Sequence, residues 1–225
     1  MEKEDILNQI ALCVECGKIS FDSPYPPTMK GENGVDELTK EALEMGILPG
    51  DILTKGFVAG MEKVGVKFRD NQIFVPQVLM SAKAMNTAMQ HLKVYFNNGT
   101  IVRKGKFIMG TVEGDLHDIG KNLVCMMIEG NGYEIIDLGV DVGPEKYIDA
   151  IRKNPGAYVG MSALLTTTMK SMENINAAIK SEFPDVITFI GGAPVSTGFA
   201  KEIGADYYTD EPQALVEILN HLSAN

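Results

Sequence analysis

Asp115 and His117 stand two residues apart in a chain with only three histidines among 225 residues. A loop histidine this close to a carboxylate can turn one ring nitrogen onto it and the other outward. A metal-bound imidazole uses that arrangement, because the carboxylate fixes the tautomer and raises ligand basicity. A general base uses it too. The pair also fits an exposed loop histidine beside an aspartate that caps a helix. The spacing alone leaves all three open.

The elements around the pair say where it sits. Lys106-Phe-Ile-Met-Gly-Thr-Val112 is a short apolar run with β-branched residues, the pattern of a buried strand. Ile119, Leu123, Val124 and Met127 then recur at helical spacing. Residues 114–118 therefore form the loop at the carboxyl end of a strand, where ligands bind in open α/β sheets. Strand–helix alternation continues to the end of the chain. Strands are expected at 106–112, 133–138, 157–162, 186–191 and 206–209, and helices at 118–130, 144–153, 168–182, 196–203 and 212–222. Such βα units imply a parallel, doubly wound sheet with right-handed crossovers, flavodoxin- or Rossmann-like. With strand order 2-1-3-4-5, the loops after strands one, three and four are neighbours. Those loops carry Asp115 and His117, then Ser162-Ala-Leu164, then Gly191-Gly192.

Residues 1–96 read as helices. Ile6, Ile10, Cys13 and Val14 mark the first, whose acidic start (Glu2 to Asp5) suits the helix dipole. A Pro- and Gly-rich loop follows from Phe21 to Gly31. Helices are expected again at 35–46, 51–66 and 75–96, with Asp51 as an N-cap and Pro76 in a first turn. Val75, Val78, Leu79, Ala82, Met85, Met89 and Leu92 stripe the last of these. Short connections suggest an antiparallel four-helix bundle. Asn97-Asn-Gly-Thr100 is a polar break. The chain thus divides into a helical cap (1–96), a linker (97–105) and an α/β domain (106–225).

Asp115-x-His117-x-x-Gly120, Ser162-x-Leu164 and Gly191-Gly192, in order and each after an expected strand, resemble the three marks of cobalamin-binding domains such as that of methionine synthase. Over almost its whole length the chain resembles the small corrinoid proteins of methyltransferase systems, which carry a helical cap. Val64-Gly-Val-Lys-Phe-Arg69, Phe74-Val-Pro-Gln-Val-Leu-Met80 and Ser162-Ala-Leu-Leu-Thr-Thr-Thr-Met169 carry that likeness.

The resemblance implies cobalamin bound base-off, with His117 as the axial cobalt ligand in place of the cofactor's dimethylbenzimidazole tail. Asp115 would bond the other imidazole nitrogen, and Thr168 would extend the relay. Proton uptake on the His–Asp unit would then couple to the state of the cobalt. Gly114, Leu116, Asp118, Ile119 and Gly120 would complete the first loop around the cofactor. Ser162, Leu164, Thr166, Gly191 and Gly192 would line its tail. Val75, Val78 and Leu79, with Phe74, would cover the methyl face; residue by residue, bundle core is an equal reading of these four. The implied function is that of a methyl carrier in one-carbon metabolism. It takes a methyl group onto Co(I) from a substrate-specific methyltransferase. It hands the group from methyl–Co(III) to a second methyltransferase acting on tetrahydrofolate or a thiol such as coenzyme M. An ATP-dependent reductive activator is a further implied partner, and no stand-alone turnover is expected.

Composition excludes several classes. A net charge of −10 argues against nucleic acid and anionic membranes as main partners. No apolar run is long enough to span a membrane. The charged start, with no apolar core after it, gives no secretory signal. Cys13, Cys16 and Cys125 do not make a disulfide framework, and a cytoplasmic protein is expected. Cys13-x-x-Cys16 is half a zinc site without a second pair, so plain thiols are expected. His91 and His221 read as surface or packing residues. Two other readings share the domain: a cobalamin-dependent sensor or regulator, and the small subunit of an adenosylcobalamin mutase. Against the first stand the acidic charge, the absence of a spare helix-turn-helix segment and the absence of tryptophan. Against the second stands the bundle, which would obstruct a barrel subunit docking on the corrin face.

Overall fold

The computed structural model of the protein describes residues 3–223. Glu2, part of the acidic start, lies outside the described residues; Glu4 and Asp5 sit in the first turn of the first helix. The chain forms two compact units. One runs to Arg103 and includes Gly130–Gly132; the other takes Lys104–Glu129 and continues from Tyr133.

The first unit is helical: α1 (Lys3–Cys16), α2 (Val35–Glu44), α3 (Pro49–Asp51), a π-helical stretch (Ile52–Val58), α4 (Ala59–Arg69) and α5 (Val75–Asn97). From α3 to α4 the chain is one continuous rod. Each helix turns an apolar stripe inward: Ile6, Ile10 and Val14; Val35, Leu38 and Ala42; Ile52, Phe57, Met61 and Val64; Ala82, Met85, Ala88 and Leu92. Burying such faces is what holds short helices that are marginal alone. Gly60 lets the rod approach α1 closely, for a Cβ there would lie 2.7 Å from the Ala11 carbonyl oxygen. His91 on α5 bonds Asp36 on α2 at 2.6 Å, so this histidine is a packing residue. The Gln77 side chain accepts from the Phe74 N–H at 3.1 Å and caps α5.

Beyond α5 the chain does not run free. The Ile101 N–H donates back to the Tyr95 carbonyl at 3.0 Å, and Ile101 is buried. Arg103 lies 4.8 Å over the Phe96 ring. Residues 98–101 thus form a helix-terminating turn, with Gly99 at φ 77° as the left-handed residue.

The second unit holds a parallel five-stranded sheet in the order β2-β1-β3-β4-β5. Its strands are β1 (Lys106–Val112), β2 (Glu134–Val142), β3 (Tyr158–Ser162), β4 (Thr188–Gly191) and β5 (Tyr207–Tyr208). Its helices are α6 (Ile119–Gly130), α7 (Pro144–Lys153), α8 (Met169–Glu182), α9 (Thr197–Ile203) and α10 (Pro212–Ser223). The expected strand order therefore holds, with the switch between β1 and β3. Ile108, Val112, Val159, Met161 and Ile190 pack on one sheet face against α7, α8 and α9. Phe107, Phe189, Tyr207 and Tyr158 form an aromatic layer, with Phe189 stacked on Tyr207 at 5.0 Å between centroids. Pairing of β1 with β2 is irregular: Met109 faces Asp137, Gly110 faces Gly139 and Val112 faces Val142. Extra residues on β2 make it longer than the expected 133–138 and bend it where the loops begin. Among the described residues no helix is long and apolar enough to cross a membrane.

Lys121 of α6 is buried, with Nζ 2.6 Å from both carboxylate oxygens of Asp137. An ammonium taken from water needs that partner. Asp137→Ala is expected to cost roughly 2 kcal/mol, less than for a fully buried pair because Asp137 is partly exposed. Adding Lys121→Met should recover most of it. Urea denaturation checks both; an Asp137→Ala variant as stable as wild type would show that the ammonium reaches water by another route.

Candidate functional site

The loop after β1 turns sharply. The Asp115 N–H donates to the Val112 carbonyl at 3.1 Å, and Gly114 adopts φ 84°. That turn drives the Asp115 side chain inward, to 0% exposure, and leaves the His117 side chain 51% exposed. The Thr111 hydroxyl donates to the His117 carbonyl at 2.8 Å and pins the loop to the strand.

Asp115 joins two loops. Its Oδ1 accepts from the His117 N–H at 3.1 Å and meets His117 Nδ1 at 2.7 Å. Its Oδ2 accepts from the Leu164 N–H at 2.7 Å, more weakly from the Leu165 N–H at 3.4 Å, and from the Thr168 hydroxyl at 3.0 Å. That hydroxyl also lies 2.9 Å from the Leu165 carbonyl and has one proton to give. Burial alone would raise the Asp115 pKa. The Leu164 N–H, the His117 ring and N–H and the Thr168 hydroxyl outweigh it and hold the carboxyl far below the usual carboxylate range. An ionised carboxylate only accepts, so Nδ1 donates to it, and in the neutral ring Nε2 keeps its lone pair. Nε2 has no hydrogen-bond partner among the described residues.

The third loop closes on the second. The Ala163 N–H donates to the Gly191 carbonyl at 3.1 Å. Gly192 adopts φ 127°, and a Cβ there would sit 1.8 Å from the Ala163 carbonyl oxygen. The structure thus brings Asp115, His117, Leu164, Thr168, Gly191 and Gly192 together. Leu116, Ile119 and Leu164 are exposed apolar residues, as is Leu165. Asp118 is engaged locally, accepting from the Asn122 side chain at 3.1 Å. Ser162 is half-buried at the end of β3, and Thr166 is exposed. In the helical unit Val78 is fully buried on the stripe of Ala82 and Met85, whereas Phe74 and Leu79 are exposed and Val75 is intermediate.

The loop backbone held by Leu164 and Leu165, the Thr111 bond and the bond from the Gly114 N–H to Asp141 Oδ1 at 2.7 Å escape a reading by residue type. Amide donors carry no side-chain signature. Asp141, between Gly139 and Gly143, is an αL-tolerant residue in a turn-rich context, which is the signal that was there. The three cysteines are free, and burial pushes the Cys13 and Cys125 thiols up to about 12.

The donor set decides what metal this site accepts. It offers one imidazole nitrogen, and among the described residues no three His, Cys, Asp or Glu side chains gather. A bare ion needs more ligands than that. A metal already held by a macrocycle needs only an axial one. Exposed Leu116 and Ile119 flank His117, and a Cβ on Gly120 would meet nothing within 4 Å, leaving room for a broad apolar face.

Fold and site together define a doubly wound domain that presents one carboxylate-backed histidine on the loop after β1. A B12 binding domain model matches residues 105–219, and a second one matches residues 31–93. The dimethylamine corrinoid protein 1 of Methanosarcina acetivorans is 33% identical over the whole of both chains. The trimethylamine corrinoid protein 1 of the same organism is 38% identical over 80% of this chain and 85% of its own. A chain of the solved methanol:cobalamin methyltransferase complex MtaBC from Methanosarcina barkeri superposes with TM-score 0.83 at 29% identity, covering all of this chain and 81% of that one. The chain belongs to the corrinoid protein family built on the B12 binding domain.

Proposed function

We propose that the chain is a corrinoid methyl carrier that holds its cofactor through His117. One observation carries this: a half-exposed imidazole whose Nδ1 is fixed by a buried carboxylate shared between the loops after β1 and β3. When bound there, the corrinoid supplies a cobalt centre that takes up and releases a methyl group.

The protein's own groups do the rest. Asp115 orients the imidazole and presents the Nε2 lone pair. Because donors hold Asp115 ionised, a proton entering the pair goes to Nε2 when that atom is free, and the carboxylate stabilises the resulting imidazolium. Thr168 supports the far oxygen of Asp115. Leu116, Ile119 and Leu164, with Gly114, Asp118 and Gly120, would border the ring. Ser162, Thr166, Gly191 and Gly192 would follow its tail. Phe74 and Leu79, exposed near the start of α5, are the cap residues suited to an apolar cover, with Val75 behind them; Val78 serves the bundle core. The helical cap and the α/β domain would move as separate bodies. The hinge would lie within residues 97–105, where the Ile101 N–H turns back to Tyr95 and the Gly105 carbonyl accepts from the Glu134 N–H at 2.9 Å.

The proposed partners are two methyltransferases and an activator. One is a substrate-specific methyltransferase, as in the methanol:cobalamin complex. The other is a second methyltransferase acting on tetrahydrofolate or a thiol such as coenzyme M, with an ATP-dependent reductive activator to restore oxidised cofactor. The related mono-, di- and trimethylamine corrinoid proteins make methylated amines the first donors to try.

Reconstitution with hydroxocobalamin, reduction to Co(II) and electron paramagnetic resonance test the reading. Wild type should bind stoichiometrically and show coupling to one histidine nitrogen. His117→Ala should bind about tenfold or more weakly and lack that coupling. A spectrum unchanged by His117→Ala, or no binding by wild type, would refute it.

A further inference from the structure

We infer that Asp141, at the end of β2, is a positioning residue that sets the His117 tautomer by gripping the turn before Asp115. This rests on the proposed role of His117 at the cofactor.

Asp141 has φ 53°, one of two non-glycine residues with positive φ among those described. Such a backbone favours glycine, and aspartate reaches it at some cost in free energy. Gly139, two residues earlier, already has φ 86°. A second glycine would fit here with less strain, so the carboxylate must give something in return.

What it gives is visible. Asp141 Oδ1 accepts from the Gly114 N–H at 2.7 Å. In the opposite sense, the Asp141 N–H donates to the Asp115 carbonyl at 3.0 Å. The two bonds hold successive residues, Gly114 and Asp115, against the strand edge. Gly114 is itself at φ 84°, one of several conformations open to an unrestrained glycine. The irregular pairing that shifts β2 beside Gly110 and Val112 is what brings Asp141 to this place.

The effect passes along the chain. Asp141 fixes the Gly114–Asp115 backbone. That backbone aims the Asp115 carboxylate, and the carboxylate holds the proton on Nδ1 of His117. Asp141 is exposed, so its contribution is the grip and not the filling of a core.

Three variants of the full chain test this: Asp141→Asn, Asp141→Gly and Asp141→Ala. Asparagine keeps an acceptor oxygen and tolerates the backbone. Glycine keeps the backbone and removes the acceptor. Alanine removes both advantages, and if it fails to fold, the glycine variant still decides. Two readouts use the apoprotein: the tautomer of His117 from long-range nitrogen NMR, and hydrogen exchange at the Gly114 amide. A third is the Kd for hydroxocobalamin. Wild type and Asp141→Asn should show the Nδ1–H tautomer, slow exchange and Kd values within about threefold of each other. Asp141→Gly should mix tautomers, exchange faster at Gly114 and bind about tenfold more weakly, the usual effect of losing support behind a metal ligand. A glycine variant with the wild-type tautomer and exchange overturns the inference, as does an asparagine variant that behaves like glycine. If wild type binds no cobalamin, the cofactor reading fails, and the two apoprotein readouts still judge Asp141.

Discussion

Asp115→Ala is expected to remove roughly 3 kcal/mol of stability and to leave His117 without a fixed orientation. The carboxylate is fully buried and is the common acceptor for the Leu164 N–H, the Thr168 hydroxyl and two donors of His117. Taking it away leaves those donors without their common acceptor, the situation in which losses reach a few kcal/mol. Thermal and urea unfolding measure the loss, and a variant within about 1 kcal/mol of wild type would show that the loops hold each other by other means. Acid gives an independent check. The folded carboxyl lies below its unfolded value of about 3.9. Its stabilising contribution is therefore complete above about pH 4 and declines as pH falls toward the folded value, where the unfolded state binds more protons. Wild type should lose stability more steeply below pH 4 than Asp115→Asn, which has no carboxyl to titrate there. Parallel curves would assign acid sensitivity to other carboxylates.

Gly192→Ala should be as damaging for a different reason. The residue has φ 127°, and a Cβ would lie 1.8 Å from the Ala163 carbonyl oxygen. Both faults involve backbone, which has no flexible end to swing away. A loss of roughly 3–5 kcal/mol is expected. The damage should spread, since Ala163 precedes the Leu164 N–H that holds Asp115. Cobalamin affinity should therefore fall together with stability. Gly191→Ala is the control: its Cβ would approach the Thr209 carbonyl at 3.2 Å, with no positive φ, so a smaller loss is expected. Similar stability for the two variants would show that the loop after β4 can move off the loop after β3.

The alternation of strands and helices was legible because period and spacing encode it, whereas the order on which the meeting of the three loops depends was assumed from the fold class. Apolar runs of strand length alternating with 3.6-residue stripes allow few topologies, and the observed order is the expected one. The Asp115–His117 bond was legible because two side chains two residues apart can hardly miss each other. Other features were hidden where backbone does the work. Leu164 and Leu165 act through N–H groups, so their apolar side chains mislead. The end of β2 was read as a loop after residue 138, because Gly139 and Asp141 interrupt the alternation that marks a strand. Lys121 lies among Ile119, Leu123 and Val124, and no local rule reveals that its amine reaches Asp137 across to β2. On α5, Val78 and Leu79 share one apolar stripe in sequence, and only their positions on the helix separate the buried residue from the exposed one. Near the polar run 97–100, the bond from the Ile101 N–H to the Tyr95 carbonyl is a backbone feature that composition does not show.

The irregular end of β2 has one more consequence. In this sheet β2 and β5 are the outer strands. An outer strand offers unpaired N–H and carbonyl groups to any other chain, the usual route to aggregation. β5 has only Tyr207 and Tyr208 to offer. β2 is longer, but its shifted pairing and the left-handed residues Gly139 and Asp141 spoil the straight, evenly spaced row that a foreign strand would need. The bend that places Asp141 beside Gly114 also makes a poor template for strand addition by another chain.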